Sequence, residues 1–477
     1  MATKFPISTL LAAATFAGIL LEVHYAVRPD KGFDPASVRS VTAFRTDRAS
    51  LIPVVELPGP QLPETLAVPN PTAPGWNAAA AANLTLESQF LVDNAGSLDH
   101  FYQALDELAS GKRDRPVRIV HYGDSPTTAD LITGDARELL QEKFGDAGTG
   151  FVLIAKPWAW YGHHGVEVEG TGWKIDTAVG SMREAPYGLG GAIFTGPVGA
   201  ESTIRLDAHT AKSIEVQYMA EPGGGKIDVL ADGTSVGSVD TAGDQKQNGA
   251  TTLALPEGTK QVVLRVEGAP VQVFGVAFGT GHKGVTYDSI GLNGASTTVM
   301  SRAFNPENWS QALQHRDPDL VIINYGTNES SFPSYVEKQY EPELRRAIAR
   351  VRAALPSASI LVMSPMDRGA RDGDSITTMP AIPRLVEIQQ RVAAELGCGF
   401  FNTYAAMGGE GTMERWYDGH PRMVGADLIH PTPQGARIVA QSLTGQLLIG
   451  YERYLQHHAQ TRTASAAQTS NQSEAGK

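Results

Sequence analysis

Three serines in the chain stand where a nucleophile could. Ser125 lies in Gly123-Asp124-Ser125, within HYGDSPTTAD (121–130). The same triplet recurs at Gly373-Asp374-Ser375, and a G-x-S-x-G match occurs at Gly233-Thr234-Ser235-Val236-Gly237. A serine hydroxyl attacks a carbonyl when a base takes its proton and a third group orients that base. ADLIHPTPQGA supplies such a pair, Asp427 and His430, in the loop that enters the last helix. A turn of that length can bring the carboxylate to Nδ1 and leave Nε2 facing a serine. The chemistry such a set can perform is nucleophilic attack on a carbonyl, with the serine bonded covalently to the group it attacks. It calls for no metal or cofactor, and no Cys/His cluster has zinc spacing.

The elements around each serine separate the three. VRIVHY (117–122) reads as a buried strand, and DARELLQEKFG (135–145) as the helix that follows. Ser125 therefore stands beyond the carboxyl end of a strand and just before a helix. Ligands of open parallel sheets bind there, and the unpaired N–H groups of a helix start favour a developing oxyanion. Ser235 follows the turn signal Asp232-Gly233 between alternating strands, with no helix after it. Ser375 sits in a polar loop, DRGARDGDSITTMP (367–380), which suits a lid better than an attack. Two more positions could meet a ligand. Gly294, in DSIGLNGAST, lets a backbone N–H approach a ligand with no Cβ in the way. Asn328, in VIINYGTNES, can donate from its side-chain amide past the end of the most apolar strand. Read alone, each is better taken as a turn residue.

The elements that must carry these groups follow an α/β rhythm with an interruption. SLDHFYQALDELASGK (97–112) spaces Leu98, Phe101, Leu105 and Leu108 as a helix, stopped by Gly111. From about 166 to 280, short alternating runs such as SIEVQYM and KQVVLRVEG are separated by turn signals, which predicts an all-β sandwich or jelly roll. After 281 the pattern returns with DLVIINYG, EPELRRAIARVRAAL, SILVMSP, RLVEIQQRVAAELG, GFFNTYAA and a closing helix that Thr432 caps and Pro433 opens. The expected organisation is an N-terminal anchor or signal (1–26), a Pro-rich spacer (27–82), an α/β domain in two parts (83–165 and 281–457), the β insertion (166–280) and a disordered tail (458–477). The apolar run FPISTLLAAATFAGILLEV follows Lys4, is about long enough to span a bilayer and lacks a clean cleavage site, which favours an uncleaved anchor and an extracytoplasmic body.

Composition bounds the rest. The chain has 477 residues, 42% hydrophobic and 19% charged, which suits two or three globular domains. A formal charge of −12 disfavours nucleic acid as a general partner. The lone cysteine, Cys398, reads as a buried thiol and forms no intrachain disulfide. In KPWAWYGHHG (156–165), Trp158, Trp160 and Tyr161 could stack on sugar rings or pack a seam between layers, and the adjacent His163-His164 does not suit metal chelation. Oligomeric state is not legible.

Taken in order, Gly-Asp-Ser at 123–125, Gly294, Gly-Thr-Asn at 326–328 and Asp427-x-x-His430 resemble the blocks of the SGNH (GDSL-type) hydrolase superfamily. The resemblance covers about 84–165 and 281–455. It implies a flavodoxin-like three-layer α/β/α fold and ester hydrolysis. It also implies that Ser125 is the nucleophile, His430 the base and then acid, and Asp427 the orienting carboxylate. The oxyanion would be held by the Ser125 and Gly294 N–H groups and the Asn328 amide. RIVHYGDSPTTADLITGDARELLQEKFGDAGTGFV is similar to the peptidoglycan O-acetylesterase branch, whose members carry an inserted β-sandwich. The branch usually has His and Gln where Pro126 and Thr128 stand here. The resulting expectation is removal of O-acetyl groups from an extracytoplasmic glycan, peptidoglycan or an exopolysaccharide. Two alternatives remain open: an O-acetyltransferase with the same triad, and a non-catalytic glycan-binding protein on the same fold.

Overall fold

The apolar runs of the sequence make a sheet covered on both faces. In the computed structural model, which describes residues 90–180, 184–207 and 210–474, Leu320–Asn324 and Ser359–Met363 are buried at every position. Such strands belong in a parallel sheet between helices. In spatial order the sheet runs Leu91–Val92, Gly399–Phe401, Ser359–Met363, Leu320–Asn324, Val117–Gly123, Val285–Gly291. Neighbours are parallel except the edge strand Leu91–Val92, which is antiparallel to Gly399–Phe401. Successive residues of a strand point to opposite faces, and the core divides accordingly. Leu320 and Ile322 join one cluster with the helices Asp99–Ala109, Leu131–Phe144 and the first turns of Pro433–Glu474. Val321 and Ile323 join another with Pro306–Arg316, Glu341–Ala354 and Ala381–Glu395. Helices thus lie on both faces. The expected anchor (1–26) and spacer (27–82) fall outside the described residues.

The alternating runs form two antiparallel sheets. One contains, in spatial order, Thr234–Asp240, Lys226–Ala231, Gln261–Glu267, Glu201–Leu206 and Val166–Thr171. The other contains Gln247–Ala254, Ser213–Ala220, Val271–Gly279, Ala192–Gly196 and Lys174–Thr177. The buried alternate residues of both, such as Ile204 and Val216, belong to the same cluster as Val321 and Ile323. The β-rich part is therefore packed into one face of the α/β layers. The seam is polar as well as apolar. Tyr122 Oη donates to the Leu189 carbonyl (3.1 Å) and accepts from Trp309 Nε1 (2.9 Å), while Gly188 N donates to Asn308 Oδ1 (2.8 Å).

Two expected boundaries differ. Gly150–Val152, placed by sequence in the first α/β part, already pairs antiparallel with Val271–Gly279, so the β-rich part begins before residue 166. Three residues carry too little alternation to reveal a strand. The closing helix runs to Glu474, so 458–474 is not the disordered tail expected. The reason is local: between Gly450 and Gly476 the chain has no glycine or proline, and it is rich in Ala and Gln, which are good helix formers. A buried ion pair pins the layers. Arg316 donates through Nε to Asp288 Oδ2 (2.6 Å) and through Nη2 to Oδ1 (2.7 Å), and Phe151 N donates to the same Oδ1 (2.8 Å). Removing Arg316 alone would strand a buried carboxylate, at a cost of about 3–5 kcal/mol.

Candidate active site

Ser125 follows the strand Val117–Gly123, as expected, but it opens a four-residue turn, Ser125–Thr128, rather than the long helix. That helix begins at Leu131, after Asp130 adopts a left-handed conformation (φ 55°). The backbone donor of this turn nearest the nucleophile is therefore the Ser125 N–H itself, since Pro126 has none and Thr127 N is engaged. The turn is closed on Asp124, whose carbonyl accepts from Thr127 N (3.1 Å) and Thr128 Oγ1 (3.2 Å). Gly291, at the end of the neighbouring strand, approaches so closely that a Cβ there would lie 2.2 Å from Thr128 N. A side chain at 291 would push the serine turn away.

Asp427 and His430 meet Ser125 across 305 residues of chain. Asp427 Oδ2 lies 2.6 Å from His430 Nδ1, and His430 Nε2 lies 2.8 Å from Ser125 Oγ. The second carboxylate oxygen, Oδ1, accepts from the N–H groups of Ile429 (3.0 Å) and His430 (3.1 Å). Leu428, at φ 60°, makes the turn tight enough for this. Burial pushes the Asp427 carboxyl up, but the bonds and charge of His430 outweigh it and hold Asp427 at about 2. It is ionised whenever the imidazole needs a partner. The loop is fixed at both ends: Gly369 N donates to the Leu428 carbonyl (2.9 Å), and Thr432 Oγ1 donates to the Arg422 carbonyl (3.1 Å).

Gly294 and Asn328 are brought together. Gly294 has φ 75°, which favours glycine, in the turn after Val285–Gly291. Asn328 Nδ2 donates to the adjoining carbonyl of Ala295 (2.7 Å). An amide has two N–H groups, so a second donor remains for a ligand. The loops holding Ser125, Gly294 and Asn328 follow three adjacent strands, with Gly123 in register with both Gly291 and Asn324.

The two rival serines are elsewhere. Ser235 lies in an antiparallel strand and donates to Asp228 Oδ1 (2.6 Å). Ser375 begins the second strand of a small hairpin, Gly369–Asp372 with Ser375–Thr378, and is exposed. The polar loop expected at 367–380 is thus a hairpin. Of the three aromatics, Tyr161 is corrected. Its ring is buried, and its Oη accepts from Leu153 N (2.8 Å), so it cannot stack on a sugar. Trp158 is half-buried against the core. Trp160 is 66% exposed, two residues before Gly162, whose N–H donates to the Thr128 carbonyl (3.2 Å) beside the serine turn. His163 is buried next to Asp130, which Arg137 binds through Nη2 (2.7 Å). Among the described residues, no group of three or more His, Cys, Asp or Glu could hold a metal ion.

The sequence reading missed three residues at this site. Arg368 donates through Nη1 to the Thr327 carbonyl (2.7 Å), Ser330 Oγ (3.0 Å) and Ser331 Oγ (2.7 Å), joining the Asn328 loop to the hairpin. Asp124 and Glu329 are buried carboxyls flanking Ser125 and Asn328 in sequence. A charged residue beside a motif was the available signal.

Residues 265–438 match the family described as GDSL-like lipase/acylhydrolase, a stretch that holds Gly294, Asn328, Asp427 and His430 but not Ser125. Among solved structures, a peptidoglycan O-acetylesterase is 25% identical, with a TM-score of 0.66 over 76% of this chain and 99% of that one. An acetylxylan esterase from Geobacillus stearothermophilus overlaps in part (19% identity, TM-score 0.27, 35% of this chain and 73% of that one). So does a family two carbohydrate esterase from Clostridium thermocellum in complex with cellohexaose (15% identity, TM-score 0.25, 58% and 100%). No curated protein matches the chain. The partial family match and the likeness to the peptidoglycan O-acetylesterase make the chain similar to GDSL-type hydrolases. The chain is a carboxylic ester hydrolase.

Proposed function

We propose that this esterase removes O-acetyl groups from an extracytoplasmic glycan through an acetyl-Ser125 intermediate. The observation that carries the reading is the unbroken relay from Asp427 through His430 to Ser125 Oγ. Ser125 attacks the acetyl carbonyl as His430 Nε2 takes its proton. The Ser125 and Gly294 N–H groups and the Asn328 amide receive the oxyanion. His430 then protonates the departing sugar oxygen. A water, deprotonated by the same nitrogen, cleaves the acetyl-serine to acetate and free Ser125. Asp427 stays ionised throughout and stabilises the imidazolium. Support for a polymeric substrate comes from the openness of the relay: the side chains of His430 and Asp427 are 45% and 44% exposed, which admits both a chain and the hydrolytic water. The likeness to a peptidoglycan O-acetylesterase supports the choice of glycan.

Trp160 is read as the aromatic platform for that chain. Trp160→Ala should raise KM on O-acetylated peptidoglycan roughly threefold to tenfold, the worth of one aromatic contact, and leave a small acetyl ester unaffected. Acetate release, measured on O-acetylated peptidoglycan and on acetylated xylan, tests substrate and platform together. Faster release from xylan would replace peptidoglycan as the substrate. An equal loss on the small ester would remove Trp160 from the glycan path. Acetyl appearing on an acceptor glycan instead of as free acetate would make the enzyme a transferase.

The apolar segment within residues 1–26 is read as an anchor that holds this body outside the cytoplasm. No helix among the described residues is long and apolar enough to cross a membrane, so the reading depends on the segment's composition. The full chain should stay with membranes after a salt wash. A mature N-terminus near Val27 would make the segment a cleaved signal.

A further inference from the structure

The carbonyls that end the serine turn are held from outside, and each hold leads back to one buried carboxylate. The Thr127 carbonyl accepts from Asp130 N (3.0 Å) and from Ser289 Oγ (3.1 Å), and the Thr128 carbonyl accepts from Gly162 N (3.2 Å). Ser289 is on the neighbouring strand Val285–Gly291, and its Oγ also lies 2.8 Å from Thr133 Oγ1. Thr133 gives its one proton to Asp130 Oδ1 (2.5 Å), so Ser289 is the donor of that pair. Gly162 belongs to the loop that carries Trp160. Two residues later in the same loop, His164 N donates to Asp130 Oδ2 (2.8 Å). Arg137, on the helix Leu131–Phe144, donates through Nη2 to that oxygen (2.7 Å) and to the His164 carbonyl (3.3 Å). Asp130 is wholly buried, and its φ of 55° is a conformation that Asp and Asn tolerate better than most residues. Burial pushes its carboxyl up, but the charge of Arg137 outweighs this and holds it below the usual carboxylate range.

We propose that Asp130 is a positioning residue whose carboxylate holds the Ser125 turn and the Trp160 loop in one frame, so that nucleophile and glycan platform are set by the same group. This rests on the readings of Ser125 as nucleophile and of Trp160 as platform. One carboxylate oxygen reaches the serine turn through Thr133 and Ser289. The other holds the loop at His164, and the loop grips the serine turn again through Gly162. His430 comes from a different loop, so a shift of this frame moves Ser125 Oγ relative to the base that addresses it. A misplacement of about 1 Å at a reacting group costs on the order of 10²-fold in rate.

The test measures kcat and KM per active site, with sites counted by fluorophosphonate labelling to completion, on a small acetyl ester and on O-acetylated peptidoglycan. Asp130→Asn keeps the size and the left-handed backbone but offers one acceptor oxygen where the donors need two. It should lower kcat per labelled site about tenfold to a hundredfold on both substrates. It should raise KM on peptidoglycan alone, to about the extent that Trp160→Ala does. Adding Trp160→Ala should then raise that KM little further, because residues that act through one element are not additive. Thr133→Val removes only the path through Ser289. It should lower kcat on both substrates by less and leave both KM values unchanged, and it carries the test if Asp130→Asn does not fold. A purely structural Asp130 would lower the count of labelled sites and leave kcat per site at the wild-type value. That result in either variant, or a wild-type KM on peptidoglycan in Asp130→Asn, would overturn the shared frame. A label on a serine other than Ser125, or no change in KM from Trp160→Ala alone, would instead overturn the readings on which the proposal rests.

Discussion

Ser125→Ala is expected to lower kcat on a simple acetyl ester by roughly 10⁴-fold or more, with the fold intact. Ser125 is half-buried at the start of its turn, and its Oγ is the atom His430 Nε2 addresses at 2.8 Å. A methyl group in its place leaves the base without a proton to take and the carbonyl without a nucleophile. Ser235→Ala and Ser375→Ala should keep most of the activity. Ser235 engages an aspartate on a strand of the β-rich part, and Ser375 sits on an exposed hairpin. Parallel assays of the three variants check this. Loss confined to Ser375→Ala would move the nucleophile to the hairpin, and the relay would need another explanation.

Asp427→Asn is expected to lower kcat by about 10⁴-fold, through the wrong imidazole tautomer and the lost charge, while KM changes little. Asparagine keeps the size and one acceptor oxygen, so the bonds from Ile429 and His430 can persist and hold the turn. Its amide would meet His430 Nδ1 as a donor, and the imidazole would then present a proton to Ser125 instead of a lone pair. Combining Asp427→Asn with His430→Ala should cost little more than His430→Ala alone, because members of one catalytic unit are not additive. Single and double variants measured on one ester decide this. Additive losses would show that the carboxylate and the imidazole act separately.

What the sequence disclosed was local. Asp427 and His430 are legible because three residues of chain set their mutual geometry, and Ser125 because a strand and a turn flank it within a few residues. The parallel strands were legible from continuous apolar runs, such as the one ending in Asn324. What failed depends on distant partners. Nothing in KPWAWYGHHG tells that the Tyr161 hydroxyl meets the backbone of Leu153 while the Trp160 ring stays outside. Nothing near Glu329 announces that Thr297 closes on it, and Arg316 gives no sign of Asp288. Gly150–Val152 needed its long partner strand to become visible. The last helix was misread for the opposite reason: small polar residues suggested a solvated tail, although no breaker interrupts them before Gly476.

The central claim is that one serine, activated by His430 and Asp427, carries the acyl group. Reaction of the full chain with a fluorophosphonate, followed by peptide mapping, tests it most directly. One adduct is predicted, on the peptide that contains Ser125, formed in step with loss of esterase activity and absent from Ser125→Ala. An adduct on Ser235 or Ser375, or full loss of activity with Ser125 unmodified, would contradict the account.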